Sequence, residues 1–211
     1  MKIISILTMI CGAGIALAKP LPLSPSLFRS QDFKMRFVGS YGMLPAVEPK
    51  IDREEAEFLG VLGDLLAKGR FRDAEQQLKQ FMWQRQHPAD PEVEPRETSA
   101  ALIFTLGNLY YQNGRMSDAE RSYKVALKRH PDYRRAHKNL GLLYATQDRI
   151  AEAKPHLMKA IELGEADHRA FGLLGYAYLK EGQALAAEGA YRQAYLLDAT
   201  ERDWKLGLAQ T

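Results

Sequence analysis

A chain of 211 residues, 46% apolar and 26% charged, is long enough to bury one or two cores and too apolar to be disordered throughout. Its formal net charge of +3, with basic and acidic residues evenly mixed, argues against a nucleic-acid binder. A single cysteine excludes an intramolecular disulfide.

The chain opens with Lys2, an apolar run from Ile3 to Leu17, and small residues at Ala16 and Ala18. These are the parts of a secretory signal peptide. The run falls short of the about 20 residues that a membrane span needs, so cleavage after Ala18 and a periplasmic or secreted mature chain are expected. Cys11 lies inside the run and follows Ile10, not the small residue that lipid attachment wants. The mature chain then offers no thiolate for catalysis or metal binding. Residues 19–53 follow, with Pro20, Pro22, Pro25, Pro45 and Pro49 predicting an extended segment. Phe28, Phe33, Phe37 and Tyr41 make it too aromatic for an inert linker. Phe37 to Pro49 is expected to dock on the folded domain, in its groove or against its first hairpin.

From about residue 54 the chain repeats itself. Three segments, 100–133, 134–167 and 168–201, superpose at a period of 34 without gaps. Leu106, Leu140 and Leu174 share a column, followed by Gly107, Gly141 and Gly175 and then by Tyr110, Tyr144 and Tyr178. Ala119, Ala153 and Ala187, then Ala126, Ala160 and Ala194, fill two later columns. The spacings give one apolar stripe to each of two helices per segment. In the first turn, "QNGRMSDAE", Gly114 can take the left-handed position that ends a helix. Ser117 and Glu120 predict a capping box for the next helix, and Pro131 and Asp132 break and restart the chain.

A mid-helix glycine costs about 1 kcal/mol against alanine, so Gly141 must be offset by packing. We expect it to face the Ala153 and Ala160 stripe where the paired helices approach most closely. A weaker copy spans 55–88, because "GRFRDAE" echoes "GRMSDAE". An acidic loop, 87–99, with Pro88, Pro91 and Pro95, separates it from the others. Val61 and Leu62 stand in for its Leu-Gly pair, as suits an atypical terminal repeat. The last residues begin a further helix, with Thr200 as its cap and Trp204 and Leu208 covering the last hairpin. This is a short capping helix or the first half of another hairpin in a longer chain.

The columns resemble the tetratricopeptide repeat, which implies an all-α fold: a right-handed solenoid of helical hairpins over residues 54–211, whose concave side is lined by first helices. The family's lining positions fall here on Phe104, Asn108, Tyr111, Arg135, Lys138, Asn139, Leu142, Arg169 and Tyr176. Basic and amide groups beside aromatic anchors suit a peptide bearing a carboxylate or acidic segment. Some members hold a chain-terminal carboxylate with a five-residue clamp. Asn108, Asn139 and Arg169 match three of its places, while Phe104 and Leu173 occupy the other two. The groove therefore reads either as a carboxylate site or as a solvated basic face.

Catalysis has no constellation to rest on. His87, His130, His137, His156 and His168 never form the helical zinc pair, and "GSYG" at 39–42 is not a nucleophile elbow. His137 occupies a packing position. No cofactor or metal is expected.

The runs "SAALIFTLGNLYYQ", "RAHKNLGLLY", "GLLGYAYL", "AYRQAYLLD" and "DWKLGLAQ", with "GSYGMLPAVEP" upstream, resemble Gram-negative tetratricopeptide proteins described as components of TonB systems. The resemblance covers 37–210 and implies a periplasmic accessory of the motor that drives outer-membrane uptake. A peptide-binding adaptor and a scaffold that self-associates through its terminal helices both fit this sequence. Gly141→Leu is expected to lower stability by a few kcal/mol through overpacking; a melting temperature equal to wild type would refute the close helix approach.

Overall fold

The computed structural model describes residues 21–29 and 48–211. After a short helix, α1 (Pro25–Arg29), come four antiparallel pairs: α2 (Arg53–Ala67) with α3 (Phe71–Gln86), α4 (Ala100–Gln112) with α5 (Met116–Arg129), α6 (Arg134–Thr146) with α7 (Ile150–Glu162), and α8 (His168–Lys180) with α9 (Ala184–Leu197). A final helix, α10 (Arg202–Leu208), closes the stack. Each pair packs on itself and on the next, so the fold is an all-helical solenoid of hairpins.

The glycine column sets the spacing within each hairpin. A Cβ added to Gly107 would lie 2.7 Å from the Tyr123 ring, one at Gly141 would lie 2.8 Å from Leu157 Cγ, and one at Gly175 would lie 2.9 Å from the Tyr191 ring. Gly141 therefore faces the expected stripe of α7, at Leu157, the residue between Ala153 and Ala160 on the same buried face. Tyr123, Leu157 and Tyr191 themselves recur at the 34-residue period, and each is buried. The large residue on the second helix needs the void left by the glycine on the first.

A polar ladder joins successive hairpins. Arg115 pairs with Glu75 at 2.7 Å and lies 4.4 Å from the Tyr110 ring. One repeat on, Arg149 pairs with Glu120 at 2.8 Å and lies 4.3 Å from the Tyr144 ring. At the third junction the charges are reversed, with Lys154 paired to Glu181 and 4.5 Å from the Tyr178 ring. Glu120 is thus spent on the ladder. Its carboxyl is held down to about 2, first by the Arg149 hydrogen bond and also by Lys124. No capping box forms: α5 starts at Met116, its N-cap is Arg115, and no side chain caps it.

Other local expectations divide. Gly114 does end its helix at positive φ, and Gly69, Gly182 and Asp148, at φ 56°, take the same conformation in the corresponding places. Residues 87–99 are non-helical up to the start of α4. The first hairpin has its own core of Leu59, Leu62, Ala74 and Leu78, shared with Leu102 and Leu109 of α4. Val61, in the leucine column, is 62% exposed, and among the described residues no hairpin precedes it. Pro155 sits inside α7 on an exposed face, where the carbonyl it leaves unbonded can meet water.

At the C-terminal end Trp204 is fully buried and Leu208 packs beside it, as expected. A Cβ at Gly172 would clash with the Trp204 ring, so this glycine admits the closing tryptophan. The cap of α10 is Glu201, which accepts from Asp203 N, and not Thr200, whose hydroxyl bonds Asp198. The proline-rich segment expected over 19–53 is not wholly extended either, since Pro25–Arg29 forms one helical turn, with proline at its first position. Leu27 is buried in the main core, Ser24 N donates to Asp203 at 2.8 Å, and Leu21 N donates to Gln210 at 2.9 Å.

His137 is half-buried, and its Nδ1 lies 2.9 Å from His156 Nδ1, across the α6 and α7 interface. Its Nε2 lies 2.9 Å from the Pro131 carbonyl, which only accepts, so Nε2 carries the proton. Neutral His137 Nδ1 is then the acceptor and His156 Nδ1–H the donor. Burial pushes His137 down and brings His156 to about 4, with His137 and Lys124 adding to the shift; Lys159, Asp132 and Glu162 also act on His137. A base depressed in the fold binds fewer protons than it does unfolded, so stability is lost as pH falls from about 6.5 toward 4. With His156 partly exposed, the loss should be on the order of 1–2 kcal/mol. His156→Ala, the residue found at this column as Ala190, should show a smaller fall in melting temperature between pH 7 and pH 4; equal falls would contradict the pairing.

Candidate functional site

The nine groove residues named from the sequence come from α4, α6 and α8, three first helices set side by side. In the folded chain Phe104, Asn108, Tyr111, Arg135, Asn139, Leu142, Arg169 and Tyr176 are all buried, and the Lys138 side chain is 15% exposed. Phe104 belongs to the core, its ring 4.9 Å from Tyr133 and 5.7 Å from Tyr123. Asn108 Oδ1 accepts from Tyr123 Oη and from Asn139 Nδ2, both at 2.8 Å. The two asparagines that match the clamp therefore bond each other across the α4 and α6 junction. Burial pushes the Tyr111 hydroxyl up to about 12. Tyr176 lies 5.4 Å from Lys180 Nζ, a cation over its ring.

Arg135, Lys138 and Arg169 do come together, through carboxylates. Arg135 Nε lies 3.2 Å from Glu48 Oε1, and Arg134 reaches the same oxygen at 3.3 Å. Lys138 Nζ lies 3.2 Å from Glu165 and 3.8 Å from Asp167, and Arg169 lies 4.0 Å from Asp167. Asp167 also caps α8 by accepting from Arg169 N at 2.9 Å. Four cations thus face three carboxylates, with no side chain in the cluster more than 15% exposed. Burial raises the Glu48 carboxyl above the usual range, against the pull of Arg135 and Arg134.

Of the segment expected to dock, 37–47 lie outside the described residues, while Glu48 reaches α6. Four members of the cluster were not named from the sequence: Glu48, Arg134, Glu165 and Asp167. For Glu165 and Asp167 the signal lay in departures from the repeat. Glu165 and Asp167 occupy the columns held by Pro131 and Tyr133 one repeat earlier, so a turn-former and a core ring give way to acids. Among the described residues, no group of three His, Cys, Asp or Glu side chains is placed to hold a metal ion, and no helix is long and apolar enough to cross a membrane.

Residues 104–167 and 168–201 match the tetratricopeptide repeat family. Among solved structures, the chain is similar to MamA, residue 41 to its end, from Desulfovibrio magneticus RS-1. The two are 22% identical with a TM-score of 0.58, over 75% of this chain and 84% of that one. It is also similar to a tetratricopeptide repeat protein from Parabacteroides merdae ATCC 43184, 22% identical with a TM-score of 0.57, over 75% of this chain and 59% of the other. At this identity the likeness is one of fold. No curated protein matches the chain. The fold and the matches over residues 104–201 define an all-helical, tetratricopeptide-like solenoid of paired hairpins, whose groove is suited to a peptide or protein.

Proposed function

We propose that this protein is a periplasmic adaptor whose concave groove holds an acidic or carboxylate-bearing segment of a partner protein, as an accessory of a TonB-type energy-transduction system. The signal-peptide pattern at 1–18 supports the compartment, and the resemblance of 37–210 to tetratricopeptide proteins of TonB systems supports the context. The observation that carries the binding mode is the seating of Glu48 on Arg134 and Arg135, a carboxylate brought from 86 residues away onto the basic wall of α6. Charged groups held in a low-exposure groove discriminate by charge as well as by shape.

A second reading, a self-associating scaffold, is favoured by the outer face of α9. Leu185 is 86% exposed and Leu196 is 71% exposed, where earlier repeats carry Ser117 and Ala151, and Lys128 and Glu162.

Crosslinking in the native envelope followed by mass spectrometry, in wild type and in a folded Arg135→Glu/Lys138→Glu variant, tests the adaptor reading. Wild type should capture a periplasmic partner through an acidic segment, and the variant should lose it. Capture unchanged by charge reversal would end the groove reading. Growth of mass with concentration in light scattering would favour the scaffold in its place.

A further inference from the structure

We propose that Arg134 and Arg135 form the carboxylate subsite of the groove, and that Glu48 is its tethered occupant, displaced when an acidic residue of a partner peptide takes its place. The inference rests on the adaptor reading and deepens it, by naming where the partner's carboxylate binds and what must leave first.

The quality of the Glu48 contacts carries the argument. Charge-assisted N–H···O bonds are ordinarily about 2.7–2.9 Å long and often two-pronged where arginine meets carboxylate. Elsewhere in this chain that standard is met: Arg149 reaches Glu120 at 2.8 Å and Glu152 at 2.6 Å. Glu48 instead uses one oxygen for both arginines, at 3.2 and 3.3 Å. Its other oxygen, Oε2, is buried with no hydrogen-bond partner, and so is Arg134 Nε. A buried carboxylate bonded through one oxygen carries most of its desolvation cost uncompensated. A ligand that presented both oxygens to the two guanidinium groups would satisfy the atoms that Glu48 leaves unpaired.

Glu48 is nevertheless placed to compete, because it is covalently attached. The chain is fastened to the solenoid on both sides of 30–47: before it at Ser24 and Leu27, and after it at Asp52, which caps α2 by accepting from Glu55 N. A tethered side chain acts at an effective concentration of about millimolar. A weak contact is thus kept occupied until a better-fitting carboxylate arrives. Charge complementarity selects the occupant, since Lys138 and Arg169 extend the positive wall beyond Arg135 while Glu165 and Asp167 bound it. The partner therefore presents a short acidic stretch in which one carboxylate can engage both arginines.

The test uses the full chain and a fluorescein-labelled peptide with the sequence of residues 45–50, PAVEPK, beside its PAVQPK counterpart. Fluorescence anisotropy should show Glu48→Gln binding PAVEPK about fivefold to tenfold more tightly than wild type does, with no gain for PAVQPK. Adding Arg134→Gln to Glu48→Gln should abolish the gain. Circular dichroism checks the fold. If Glu48→Gln does not fold, Glu48→Asp, whose shorter side chain lengthens contacts that are already long, should show a gain in the same direction. Equal affinity of wild type and the folded Glu48 variant would overturn the proposal. So would a wild-type dimer that Glu48→Gln turns into a monomer, which would assign Glu48 to the arginines of a second copy. Loss of the envelope crosslinks on charge reversal, without any peptide gain, would remove this inference and leave the adaptor reading standing.

Discussion

Everything in this solenoid depends on how closely two helices of one hairpin can approach, and that distance is set by a missing side chain. Tyr123, Leu157 and Tyr191 each point into the space that a Cβ at Gly107, Gly141 or Gly175 would fill. The loss of about 1 kcal/mol of helix propensity at each glycine is offset by burying a large side chain completely. Trp204 against Gly172 repeats the device at the end of the stack, where no further hairpin follows among the described residues. Where the device is absent, at Leu62 in the glycine column, the first hairpin packs into a second cluster that it shares with Leu102 and Leu109 of α4.

Once the hairpins have a fixed thickness, adjacent first helices meet in register and their polar side chains can be used twice. Asn108 accepts at once from its own hairpin, through Tyr123, and from the next, through Asn139. Glu120, Arg149 and Tyr144 do the same on the opposite face, and the exchange of charge at Lys154 and Glu181 shows that the ladder needs opposite partners and not a particular order. The same register sets Arg135, Lys138 and Arg169 on one wall. A groove suited to a peptide is therefore a by-product of stacking, and its charge is set by residues outside the repeated packing columns.

The fold was legible because packing columns repeat with identical residues: a period of 34 is visible at Leu, Gly, Tyr and Ala without any structure. The column facing the glycines was harder to see, since Leu157 interrupts two tyrosines and an identity search passes over it. Local polar devices were misread where a long-range partner won the residue, as when Arg149 took Glu120 from the capping box. The site was legible in part. The positive wall could be placed from the resemblance, whereas Glu48 pairs across 86 residues and no local spacing encodes that. Glu165 and Asp167 could have been found by asking which columns change from apolar or proline to acidic between repeats.

The most direct test of the account is a double-mutant cycle at Gly141 and Leu157, read as unfolding free energy in denaturant. In the wild-type background Gly141→Ala should destabilise, because the new methyl would lie 2.8 Å from Leu157 Cγ. With Leu157→Ala already in place, the same substitution should become neutral or stabilising by up to about 1 kcal/mol, its helix propensity gain. An equal effect of Gly141→Ala in both backgrounds would contradict the claim that the glycine exists to admit the side chain opposite it.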